Sequence, residues 1–108
     1  MHPEEVVRVA GFDWDAANRA KCERHGVATA IIETLFRQPI AVVPDPAHSN
    51  AETRFRAIGR TAAGRYVLMV FTLRHRADAL LIRPISARYM HRKEVRHYEE
   101  EIAKAEKR

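Results

Sequence analysis

One cysteine, four glycines, one tryptophan and no long apolar run mark this 108-residue chain by what it lacks. Cys22 alone permits no internal disulfide and no cysteine-rich metal site, which fits a reducing cytoplasm. The glycines are scattered, so no glycine-rich loop is present to cradle a phosphate. No apolar stretch approaches the roughly 20 residues of a membrane span, and Glu4 and Glu5 give the N-terminus the wrong charge for a secretory signal. Acid is scarce where base is dense. From Arg54 to Arg96 there are 11 Lys/Arg but only Asp78 and Glu94 in opposition.

Six histidines invite a metal site, yet no two stand four apart and none falls in a zincin arrangement. With no acidic cluster for magnesium either, neither a metal nor any other cofactor is expected. The length suits one domain over residues 1–108. Apolar residues make up 46% and charged residues 31%, a globular rather than disordered balance.

Periodicity gives the order of elements. A valine-rich strand is expected over 6–12. A helix then starts at Asp15, whose carboxylate can cap the first turn, and ends at Gly26. A second helix over 29–37 buries Ile31, Ile32, Leu35 and Phe36 and stops before Pro39. A short strand over 40–43 precedes the polar loop "PDPAHSNAET", in which His48 and Glu52 are minor site candidates. Strands follow over 54–60, 66–73 and 79–87. The middle one is apolar on both faces and belongs at the centre of the sheet. "RHRAD" is read as the turn between the last two. A final helix over 90–107 has a narrow stripe of Val95, Tyr98, Ile102 and Ala105. The class is α+β: a strand, two helices, an antiparallel meander of three or four strands, and a C-terminal helix.

The basic segment, all arginine except Lys93, has two open readings: a solvated face, or a site for a polyanion. Arginine makes planar, two-bond contacts with phosphate, and a one-sided basic segment is the electrostatic signature of a nucleic-acid binder. RNA can be cleaved without a metal, because its 2′-hydroxyl attacks the adjacent phosphodiester. Cations then stabilise the phosphorane, and side chains move the protons. Arg54, Arg56, Arg83 and Arg88 are spaced to gather on one sheet, with Tyr89 and His91 close in sequence as proton carriers. Ser86, Arg92 and Lys93 add RNA contacts. Pro84, inside a strand, implies an edge or a bulge that could re-aim Arg83 or Arg88.

"FDWDAANRAKCERHGV", "VVPDPAHS", "RFRAIGRTAAGR", "VFTLR" and "IRPISARYMHRKEVRHYEE" together resemble the BrnT family of type II toxin–antitoxin systems, over roughly residues 11–100. The resemblance implies a RelE-like fold and a ribonuclease that halts translation. It also implies a BrnA-type antitoxin with a ribbon-helix-helix domain, in a heterotetramer of two toxins and two antitoxins. That assembly would reach operator DNA through the antitoxin. Arg54, Arg83, Ser86 and Arg88 fall on the family's motif; Arg54, Arg83 and Arg88 would act on the RNA, with Tyr89 and His91 as further candidates. The competing expectation is a non-catalytic basic module that binds nucleic acid or the antitoxin in operon autoregulation.

Overall fold

The computed structural model describes residues 9–45 and 52–107. The first part of the expected N-terminal strand, and His48 in its loop, lie outside these. Strand β1 (Gly11–Phe12) leads into helices α1 (Ala16–Arg24) and α2 (Thr29–Phe36). Strands β2 (Ala41–Pro44), β3 (Phe55–Arg60), β4 (Tyr66–Arg76) and β5 (Ala79–Tyr89) follow, and α3 (Arg92–Glu106) ends the chain. The sheet order is β1-β5-β4-β3-β2. The meander β2 to β5 is antiparallel as expected, but β1 pairs with β5 in parallel through Gly11↔Leu81 and Phe12↔Ile82, so the sheet is mixed. The α1–α2 segment carries the chain from β1 at one edge to β2 at the other, so the sense of β1 against β5 is fixed by the whole meander between them, and alternation within β1 carries no information about it.

Asp15 caps α1 as its sequence position suggests: its carboxylate accepts the Asn18 N–H at 2.9 Å while Asn18 Oδ1 accepts the Asp15 N–H at 2.6 Å. Such reciprocal bonds satisfy donors that a helix start otherwise leaves unpaired. Gly26 follows in the left-handed region (φ 82°), where a Cβ is costly. At α2 the N-cap is Ala28, which offers no side-chain acceptor, so that helix relies on its buried Ile32 and Leu35. It lies so close to β3 that a Cβ on Gly59 would stand 3.1 Å from Leu35.

The core lies between α1–α2 and one sheet face. It gathers Cys22, Val27, Ile32, Leu35, Ala57, Val67, Met69, Phe71, Ile82 and Ala87. Phe71 is flanked by Phe36 at 4.9 Å and Phe55 at 5.5 Å between ring centroids, offset and edge-on arrangements favoured by ring quadrupoles. Strand β4, apolar on both faces, is central as expected. It runs on to Arg76, so Arg74, His75 and Arg76 belong to the ladder rather than to a turn. The reversal needs only Ala77 and Asp78, with Ala77 at φ 53°.

Pro84 does sit at a bulge. Val70 pairs with Ser86 but Phe71 pairs with Pro84, leaving Ile85 as an extra residue on β5. The consequence is large for the surface. Arg83 and Arg88 are five apart, and regular alternation would send them to opposite faces. The extra residue brings both to one face, opposite Thr72 and Leu68 respectively. The bulge is held by Asn18, which is buried and whose Nδ2 donates to the Pro84 carbonyl at 2.8 Å.

Candidate functional site: a cationic sheet face

The register places side chains of the sheet face opposite the core in rows across β3, β4 and β5. One row is Arg56–Val70–Ser86 and the next is Ile58–Leu68–Arg88. Helix α3 stands over part of this face without burying any of its own residues. Tyr98 meets Tyr66 edge-on at 5.5 Å, and the Tyr66 hydroxyl donates to Glu99 at 3.4 Å. The narrow apolar stripe of α3 explains this light seating.

Two grooves flank Leu68. One, of about 290 Å³, is lined by Lys21 and His25 of α1 together with Leu68, Val70, Ser86, Ala87 and Arg88. The other, of about 440 Å³, includes Arg56, Lys93, Glu94, His97 and Tyr98 among its walls. Leu68 borders both, so the two grooves adjoin, with cations lining each.

Arg88 and Glu94 join in two parallel bonds, Nη1–Oε1 and Nη2–Oε2, both 2.7 Å. Glu94 also accepts the His91 backbone N–H at 2.8 Å. The Arg88 guanidinium, and next the His91 amide, hold the Glu94 carboxyl down at about 2, far below its usual 4.5. It is therefore a poor proton acceptor near neutrality. Arg88 is correspondingly pushed up by the same carboxylate.

A second cationic cluster lies toward the β4–β5 hairpin. Arg83 bonds Asp15 and lies 3.7 Å from Asp13. Asp13 also bonds Arg76 at 3.1 Å. Arg74 clasps Glu52 through two bonds of 2.8 and 2.9 Å. Arg74 lowers the Glu52 carboxyl, with Arg83 and Arg54 adding to the effect, so these three arginines share one electrostatic neighbourhood. Asp15 is lowered first by the Asn18 amide and then by Arg83.

The expected site residues thus divide. Arg88, Ser86, Arg56 and Lys93 come together around Leu68. Arg54 and Arg83 belong to the second cluster. Arg83 is engaged by acids that anchor the entry to α1. Tyr89, next to Arg88, points to the helix side of the sheet, where the Arg65 guanidinium lies 3.7 Å over its ring centroid. His91 is the exposed N-cap of α3. Arg92 lines a separate depression with Arg60, Arg65 and Tyr66. Sequence reasoning weighed His25 and His97 only as metal ligands and passed over Lys21. The spacing of Lys21 and His25, four apart and so on one helix face, was the available signal.

A small α+β scaffold with a grooved, arginine-rich sheet face is suited to a polyanionic ligand. Residues 14–94 match the model of a family described as "Ribonuclease toxin, BrnT, of type II toxin-antitoxin system". The chain belongs to that family, as the motifs implied. The family is one of ribonuclease toxins, and a type II system implies an antitoxin partner. Among curated proteins, none matches the chain. Among the described residues, no helix is long and apolar enough to cross a membrane.

Proposed function

We propose that this chain is a single-domain, RelE-like endoribonuclease acting in the cytoplasm, whose cleavage of RNA inhibits translation and needs no metal. The observation that carries the proposal is the pair of adjoining grooves at Leu68, with Arg88 and Ser86 lining one and Arg56 and Lys93 the other. A single RNA strand lying across Leu68 would meet cations on both sides. Arg88 would neutralise the phosphorane as the 2′-oxygen attacks, and Ser86 would donate to a phosphate oxygen. Arg54 and Arg83, with Arg74, would extend the track along the strand.

The partner is a BrnA-type antitoxin, two copies with two toxins, which neutralises the enzyme by covering this face and carries the assembly to operator DNA. Acidic antitoxin residues would compete with RNA for the same arginines. Purified protein is to be incubated with total cellular RNA, and with translating ribosomes in a second arm. Wild type should cleave in EDTA, and Arg88→Ala should cleave at least about 100-fold more slowly. Equal cleavage by both would remove Arg88 from the site.

One observation favours a second reading. Arg74, Arg83 and Arg88 are each already paired with a carboxylate of the same chain. A non-catalytic basic module for operon autoregulation could hold them so permanently. It predicts salt-sensitive RNA binding with no product.

A further inference from the structure

We infer that His25 is the residue that takes the proton from the attacking 2′-hydroxyl, with Lys21 seating the phosphate beside it; the inference rests on the ribonuclease reading. Cleavage in the groove needs a proton acceptor that is partly neutral near pH 7 and reaches the same phosphate as Arg88. Four candidates lie near Arg88, and a fifth, His97, lines only the other groove, which Arg88 does not border. Glu94 is disqualified by its bond to Arg88, which keeps it ionised and occupied on both oxygens. Tyr89 is on the other face of the sheet, under Arg65. His91 serves as the N-cap of α3 and is not among the residues lining either groove. His25 lines the same groove as Ser86 and Arg88.

The groups facing His25 support the assignment. Lys21 lines the groove from the preceding helical turn, and Arg88 lines it from β5, with Glu94 of α3 bonded behind Arg88. Glu23 and Arg24, neighbours on α1, are exposed and do not line the groove. His25 itself is exposed, so its ring is accessible to an entering strand. Imidazole is the side chain most often used to take and return a proton in catalysis.

Atoms and charge balance through the step. The 2′-oxygen forms a bond to phosphorus as its proton passes to the His25 imidazole. The bond from phosphorus to the 5′-oxygen breaks, and that oxygen leaves with a proton from water. The hydroxide so formed discharges the imidazolium. A 2′,3′-cyclic phosphate and a free 5′-hydroxyl remain. Lys21 from α1 and Arg88 from β5 offset the extra negative charge on the phosphorane.

The test measures cleavage of a labelled oligoribonucleotide between pH 5 and 9 by wild type and by His25→Ala, His25→Gln, Lys21→Ala, His97→Ala and His91→Ala. His75→Ala, on the exposed end of β4, is the control. The His25 variants should lose about 100-fold or more in kcat and lack the acid limb of the pH profile. They should still bind the uncleavable 2′-deoxy oligonucleotide to within about threefold of wild type, as a proton carrier should. Lys21→Ala should instead weaken binding of that oligonucleotide. Product from wild type should carry a cyclic phosphate. The assignment is overturned if His25→Ala keeps wild-type kcat and its acid limb, or if His91→Ala or His97→Ala removes that limb instead. Wild type without any cleavage overturns the ribonuclease reading itself, a separable result. Circular dichroism of each variant excludes loss of fold, which exposed His25 is not expected to cause.

Discussion

Arg88 and Glu94 form a closed, two-bond pair across the junction of β5 and α3, and Glu94 simultaneously holds the first turn of α3 through the His91 amide. The same carboxylate therefore fixes the helix start and aims the arginine at the sheet face. Its position also means that a phosphate entering the groove must share or displace it.

The pair carries a pH signature. Glu94 titrates at about 2 in the folded chain, below its usual 4.5. A depressed folded value means stability that is present above 4.5 and lost as pH falls toward 2. Urea midpoints of wild type and Glu94→Gln should differ at pH 7 and converge as pH drops through that window. A gap that persists unchanged to pH 2 would show that the pair is not its source.

The bulge depends on Asn18. Its Nδ2 binds the Pro84 carbonyl at 2.8 Å and the Asp13 carbonyl at 3.2 Å, and its Oδ1 takes the Asp15 amide. Asn18→Leu leaves these groups without their partner, at a cost of about 3 kcal/mol. Urea unfolding reads the loss. If the bulge slips as well, Arg83 and Arg88 part to opposite faces, and RNA binding falls further than stability alone accounts for.

Gly59 sets the distance between α2 and β3. A methyl group there would meet Leu35 atoms at 3.1 Å, so Gly59→Ala forces Leu35 or the helix to move. Overpacking of this kind costs about 1–3 kcal/mol. A double change with Leu35→Ala should recover part of that loss, and thermal denaturation of the three variants measures the recovery.

RNA affinity should fall steeply with salt if the grooved face contacts phosphates. For single strands the slope of log K against log salt changes by about 0.7 per contact. Arg56→Ala with Lys93→Ala should therefore reduce the slope by about 1.4. Both residues are exposed, so the fold should be unaffected. An unchanged slope would place the RNA path elsewhere.

Much of this molecule is written locally. Asp15 and Gly26 bound α1 because capping and left-handed backbone are properties of single residues. The apolar residues on both sides of β4 require two covered faces and so a central position. The excess of arginine over acid between 54 and 96 is legible as a count. Pro84 announces a bulge because it cannot serve a regular central ladder. What tertiary structure decided was the partnership of charges. Asp13 and Asp15 are distant in sequence from Arg83, yet the parallel pairing of β1 with β5 brings them to it. The one-residue bulge set the face on which Arg88 emerges, and with it the face on which neighbouring Tyr89 does not. Lys21 and His25 joined Ser86 and Arg88 only because β1 covers just Leu81 and Ile82 of the β5 edge, leaving α1 to pack along the rest. A chain specifies its elements through contacts a few residues apart; a site assembled across strands is fixed by register, which depends on pairings tens of residues away.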